Sequence, residues 1–146
     1  DQIRIVDRLA TALPLVDANG PQIQQVLTNL LVNARDALNA AERSKKIITV
    51  SSMTRLIDGQ PWAVISVNDN GTGISAEDLG RIFTPFFTSK ESSMGTGLGL
   101  SVSLGIAESH GGTIEVESNI GQGSCFSLIL PILTNKTLPE EVTSIV

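Results

Sequence analysis

"AVISVNDNGTGI", residues 63–74, runs an alternating apolar stretch straight into a carboxylate and a glycine turn. Ala63, Ile65, Val67 and Asp69 occupy every second position, so on an extended strand they share one face. That alternation points Asp69 inward, and a buried carboxylate must find donors. Two roles are open to it. Asp69 can bond its own turn, as Asp-x-Gly sequences commonly do. Alternatively it accepts a hydrogen bond from an exocyclic amine such as that of adenine, with Gly71 and Gly73 letting the backbone turn close under a flat ring.

Toward the C-terminus the glycines continue: Gly71, Gly73, Gly80, Gly95, Gly97 and Gly99 all fall within residues 70–101. A short helix is expected over 76–82. "RIFTPFFTSK" (81–90) then holds Phe83, Phe86 and Phe87, whose ordinary reading is core packing. Lys90 faces a loop expected over 88–96, either as a surface lysine or as a phosphate contact. "GTGLGLS" (95–101) leads into a helix expected over 98–109, which is apolar on most sides and so expected to be buried. Glycines before a helix offer free N–H groups and a positive dipole end to phosphate; a flexible linker is the alternative. Neither the GxxxxGK[ST] loop nor the GxGxxG fingerprint is present. Gly111-Gly112 ends the helix. "TIEVES" and "SCFSLILP" follow as an antiparallel pair joined through 119–123.

Toward the N-terminus, strands are expected over 46–57 and 61–69 about a turn at Asp58-Gly59, and further strands over 3–8 and 13–17. Between them Ile23, Val26, Leu27, Leu30, Leu31, Ala34, Ala37 and Leu38 recur at helical spacing, with Pro21 in the first turn. Gln25, Asn29, Asn33 and Asp36 fall on one stripe of that helix. A solvated polar face accounts for such a stripe; against it stand two asparagines, poor helix formers whose amide oxygens can ligate Mg²⁺ beside phosphate.

The 146 residues suit one domain with its own core. A net charge of −5 argues against a nucleic-acid surface, so a polyanionic ligand must be met by local devices. No apolar run approaches the ~20 residues of a membrane span, and no signal-peptide pattern opens the chain. Starting at Asp1, the chain is expected to be a piece of a longer one. The single cysteine, Cys125, is expected to be a small buried hydrophobe in a reducing compartment. His110, the only histidine, closes a helix where the dipole favours it, a structural role. Residues 133–146 lose periodicity and read as a tail.

In sequence, order and separation, "QIQQVLTNLLVNARDAL", "DNGTGI", "FTPFFTSK" and "GTGLGLS" resemble the N, G1, F and G2 boxes of the ATP-binding catalytic domain of sensor histidine kinases. "HGGTIEVESNIGQGSCFSLILP" is similar to that family's last strands, and "PFFTSK" looks most like the nitrogen-regulation and oxygen-sensing subgroup. The resemblance covers residues 1–132. It implies an α/β fold of the GHKL (Bergerat) type, a two-layer sandwich in which a mixed sheet of about five strands is covered by three helices. Asn29, Asn33 and Lys90 are then implied as catalytic. Asn33 would hold Mg²⁺, with Asn29 nearby, and Asp69 would accept from the adenine amine above Gly71 and Gly73. Lys90 and residues 91–96 would form a lid, with Gly97 and Gly99 as a backbone cradle. Asp36, Ala37, Ile74, Phe83, Thr88, Gly95, Thr96, Leu98 and Leu100 complete the implied ATP or ADP contacts.

Hydrolytic ATPases of the same fold resemble one another in a glutamate four residues before the metal-binding asparagine. Here that position is Asn29, which favours phosphoryl transfer over hydrolysis. The implied partners are a histidine-bearing dimerisation domain outside these residues and a response regulator. The piece alone is expected to be a monomeric cytoplasmic domain, whether or not the full protein is membrane-anchored. A non-catalytic ATP-sensing module is the competing reading.

Overall fold

Asp58 and Gly59, at φ 51° and 76°, close a two-residue hairpin between β2 (Lys46–Ile57) and β3 (Gln60–Asp69). Two left-handed residues are what such a turn requires and what Asp-Gly supplies. The computed structural model describes residues 2–10, 16–87 and 99–132. Its other elements are β1 (Ile3–Arg8), α1 (Gly20–Ala40), α2 (Ala76–Leu79), α3 (Gly99–Ser109), β4 (Thr113–Asn119) and β5 (Gly123–Pro131). The five strands form one mixed sheet in the order β1-β2-β3-β5-β4. β1 runs parallel to β2, and every other pair is antiparallel.

α1 starts at Asn19, whose side chain accepts from the Gln22 N–H at 3.0 Å, with Pro21 in the first turn where no N–H is needed. Its buried stripe of Val26, Leu30, Ala34 and Leu38 packs on Ile48, Val67, Phe126, Leu128 and Leu130 of the sheet. α3 covers β4 and β5 and lies against α1. It ends in a left-handed Gly111, φ 78°, with the Gly112 N–H reaching back to the Ala107 carbonyl at 2.9 Å, a glycine C-cap.

Five expectations need correction. Of the strand expected over 13–17, residues 13–15 lie outside the described residues, and Val16 and Asp17 belong to no strand; Val16 instead packs against the core. The helix expected over 76–82 stops at Leu79, and the chain continues in tight turns through residue 87, where Gly80 and Pro85 discourage a regular helix. α3 is less enclosed than its apolar composition suggests. Only Ser103 and Ala107, two small residues one turn apart on the face toward α1, are fully buried, and Val102 is exposed. Cys125 is half-buried, since alternation gives the core to Phe126 and turns Cys125 to the opposite face beside Asn68 and Glu117. Among the phenylalanines, Phe83 and Phe87 pack on the core while Phe86, at φ 66°, is exposed.

Candidate functional site

Asp69 is the last residue of β3, in register with Ile48 on one side and Ser124 on the other. Only 4% of it is exposed. The Gly71 N–H donates to its Oδ1 at 2.9 Å, whereas Oδ2 is buried with no partner among the described residues. Burial pushes the carboxyl above the ordinary carboxylate range, and the backbone of Gly71 and Ser124 pulls the other way. Buried polar atoms are seldom left unpaired. One oxygen is held and the other is left as an unused acceptor among the described residues.

The glycines after it let three stretches of backbone meet. A Cβ on Gly71 would lie 2.8 Å from both the carbonyl carbon and oxygen of Ala37 in α1. A Cβ on Gly73, φ 74°, would strike the Asn119 carbonyl in the β4–β5 turn. The Gly121 N–H bonds the Thr72 carbonyl at 2.7 Å, and the Ile74 N–H bonds Ser118 Oγ at 2.7 Å. The loop is thus wedged between helix and hairpin, so both glycines have a role inside the fold as well as any role toward a ligand.

On α1 the polar stripe divides. Asn29 donates through Nδ2 to the Gly99 carbonyl at 3.1 Å and to Ser103 Oγ at 3.0 Å, joining α1 to the first turn of α3. One turn on, Asn33 is half-buried, and its side chain makes no hydrogen bond among the described residues. Asp36 pairs with Arg35 at 3.1 Å. Ile74, Phe83 and Leu100 are half-buried and packed on the core. Asp69, Gly71 and Ala37 therefore meet at one end of α1, and Asn29, Gly99 and Ser103 meet about 12 Å along its axis. Thr88, Lys90, Gly95, Thr96, Gly97 and Leu98, with the proposed lid, lie outside the described residues.

No cluster of three His, Cys, Asp or Glu residues suited to a metal occurs among the described residues. Mg²⁺ does not require one, because it commonly takes one or two protein ligands together with substrate phosphates. The open amide oxygen of Asn33 fits that pattern. A cavity of about 380 Å³ touches Asp69, but Thr49, Asn68, Glu117 and Cys125 also line it. Those residues are on the sheet face turned away from α1, while Ser124, in register with Asp69, and Ser118, in register with Ser124, line it as well.

Sequence reasoning missed two groups that hold the site, Arg43 and Asn70. Arg43 follows α1 and reaches the carbonyls of Asn70, Gly71 and Gly121. Asn70 accepts from the Ile47 N–H and donates to the Lys45 carbonyl, each at 2.8 Å. His110 does more than end a helix: Nδ1–H donates to the Ile106 carbonyl at 2.8 Å and Nε2 accepts from the Asn19 N–H at 3.0 Å. Its tautomer follows from those two partners. It ties the end of α3 to the start of α1.

Residues 18–134 match the family model described as histidine kinase-, DNA gyrase B- and HSP90-like ATPase. The chain is 41% identical over 128 residues to the sensor histidine kinase ZraS of Escherichia coli strain K12, covering 88% of this chain and 25% of that protein. It therefore spans about a quarter of that relative's length. The nucleotide-free catalytic domain of histidine kinase ThkA superposes with a TM-score of 0.70 at 32% identity, covering 89% of this chain and 80% of that one. Full-length ShkA in complex with AMPPNP gives 0.72 at 28% identity over 90% of this chain and 26% of its own.

Proposed function

From the premise that this chain belongs to the histidine kinase-, DNA gyrase B- and HSP90-like ATPase family, we propose that it is the ATP-binding catalytic domain of a two-component sensor kinase. The observation that carries the reading is Oδ2 of Asp69, buried at the end of β3 with no partner among the described residues. The adenine amine supplies the missing donor, and the phosphate chain runs along α1 toward Asn33, Asn29 and the start of α3. The AMPPNP held by ShkA supports this choice of ligand. Mg²⁺, when bound, neutralises phosphate charge, with Asn33 lending its amide oxygen. Thr88, Lys90, Gly95, Thr96, Gly97 and Leu98 complete the phosphate end as lid and cradle.

Phosphoryl transfer fits this chain better than hydrolysis. A general base on water would be needed at position 29, where the Asn29 amide instead donates to Gly99 and Ser103. Transfer to imidazole relies chiefly on positioning and charge neutralisation. The acceptor is not His110, because both of its ring nitrogens are engaged. It belongs to a separate helical dimerisation domain, and a response regulator receives the phosphoryl group afterwards. Among the described residues no helix is long and apolar enough to cross a membrane.

Calorimetry with ATP and Mg²⁺, followed by incubation with labelled ATP and a purified acceptor-helix domain, tests the proposal. We expect saturable binding and label on the acceptor histidine. Binding without label indicates a nucleotide-sensing module, and no adenine-nucleotide binding by the folded domain overturns the reading.

A further inference from the structure

Arg43 spends its guanidinium on backbone oxygens. Nε donates to the Asn70 carbonyl at 3.0 Å, and one terminal nitrogen donates to the carbonyls of Gly71, at 3.3 Å, and Gly121. These three carbonyls belong to the loop that follows Asp69 and to the β4–β5 turn beneath it. The same loop presses on the Ala37 backbone above and on Asn119 below. Its Gly71 N–H holds Asp69 Oδ1. Arg43 is thus bonded to the residue that orients the carboxylate, and to the hairpin on which that residue rests.

We infer that Arg43 is a positioning residue for the nucleobase end of the site, setting base discrimination by holding the Gly71 N–H against Asp69 so that Oδ2 presents one fixed acceptor. Without the clamp, the Gly71 peptide shifts, the carboxylate can rotate, and its free oxygen no longer distinguishes an amine from a carbonyl on the incoming ring. A planar fork is needed to bridge several carbonyls at once, and a lysine ammonium cannot reproduce it. The inference rests on the adenine reading of Asp69 but concerns a residue that need not touch the ligand.

The test compares parent, Arg43→Lys and Arg43→Met for ATP and GTP dissociation constants, Gly71 and Gly121 amide exchange without nucleotide, and melting temperature. We expect the ATP-over-GTP preference to fall about tenfold in Arg43→Met, with Gly71 exchanging faster, and Arg43→Lys to recover little of either. A lower melting temperature with unchanged base preference and unchanged Gly71 protection overturns the inference and leaves a merely structural arginine. If the parent binds no adenine nucleotide, the functional reading fails by itself. Amide exchange then still judges the clamp, and equal Gly71 protection in all three proteins removes it. Should Arg43→Met not fold, Arg43→Lys carries the same comparison.

Discussion

Asp69 is buried at a cost to the unliganded domain. Burial raises its folded-state pKa above 3.8, the ordinary aspartate value. As pH rises from 3.8 to the folded value, the folded state therefore holds more protons than the unfolded one. Stability falls across that window, and the whole penalty is in place once the pH has passed the folded value. Asp69→Asn removes the charge and keeps an oxygen for the Gly71 N–H. We expect its nucleotide-free melting temperature at pH 7 to equal or exceed the parent's, while ATP binding weakens by about 1–3 kcal/mol. Differential scanning calorimetry and titration calorimetry read the two effects separately, and unchanged ATP affinity removes Asp69 as the adenine reader. Asn33→Ala should abolish the Mg²⁺ dependence of binding; a metal titration like the parent's excludes Asn33. The inward direction of Asp69 was legible in the alternation of residues 63–69. Its empty Oδ2 was not, since that depends on which groups other elements bring within reach.

At the scale of elements, α1 is the beam to which the site is attached, and three contacts set what it holds. His110 joins its start to the end of α3, Asn29 joins its middle to the start of α3, and Ala37 receives Gly71. Asn29→Asp places a carboxylate where an amide donated to the Gly99 carbonyl, and we expect a loss of about 1–3 kcal/mol in urea denaturation. A double-mutant cycle of Asn29→Ala with Ser103→Ala should show a coupling of at least about 0.5 kcal/mol; strict additivity would contradict the clamp. Gly71→Ala should loosen the loop from α1 and lower both stability and nucleotide affinity, because the new methyl meets backbone rather than a yielding side chain. Helix α1 itself could be read directly, from its apolar spacing and Pro21. The enclosure of α3 could not, because composition says how apolar a helix is, not how many neighbours cover it.

For the molecule as a whole, a single apolar layer lies between α1 and the sheet, so distant core losses should reach the site through global stability. Phe126, 1% exposed at the centre of that layer, is the largest fully buried side chain among the described residues. Phe126→Ala should cost about 3–5 kcal/mol by urea denaturation. Excess nucleotide should restore part of that loss in proportion to its affinity, about 2.7 kcal/mol at a hundredfold excess over the dissociation constant. A melting temperature unmoved by ATP in a variant that still binds it would contradict this linkage. By itself the sequence determined the hairpins, the long helix, the glycine turns and the face on which Asp69 lies, because these follow from local periodicity and turn chemistry. Tertiary structure alone decided that Gly71 rests on Ala37, that Asn29 is spent on α3, and that Arg43 grips the Asp69 loop. Those contacts join residues far apart in the chain, and no local pattern records which distant carbonyl a side chain will meet.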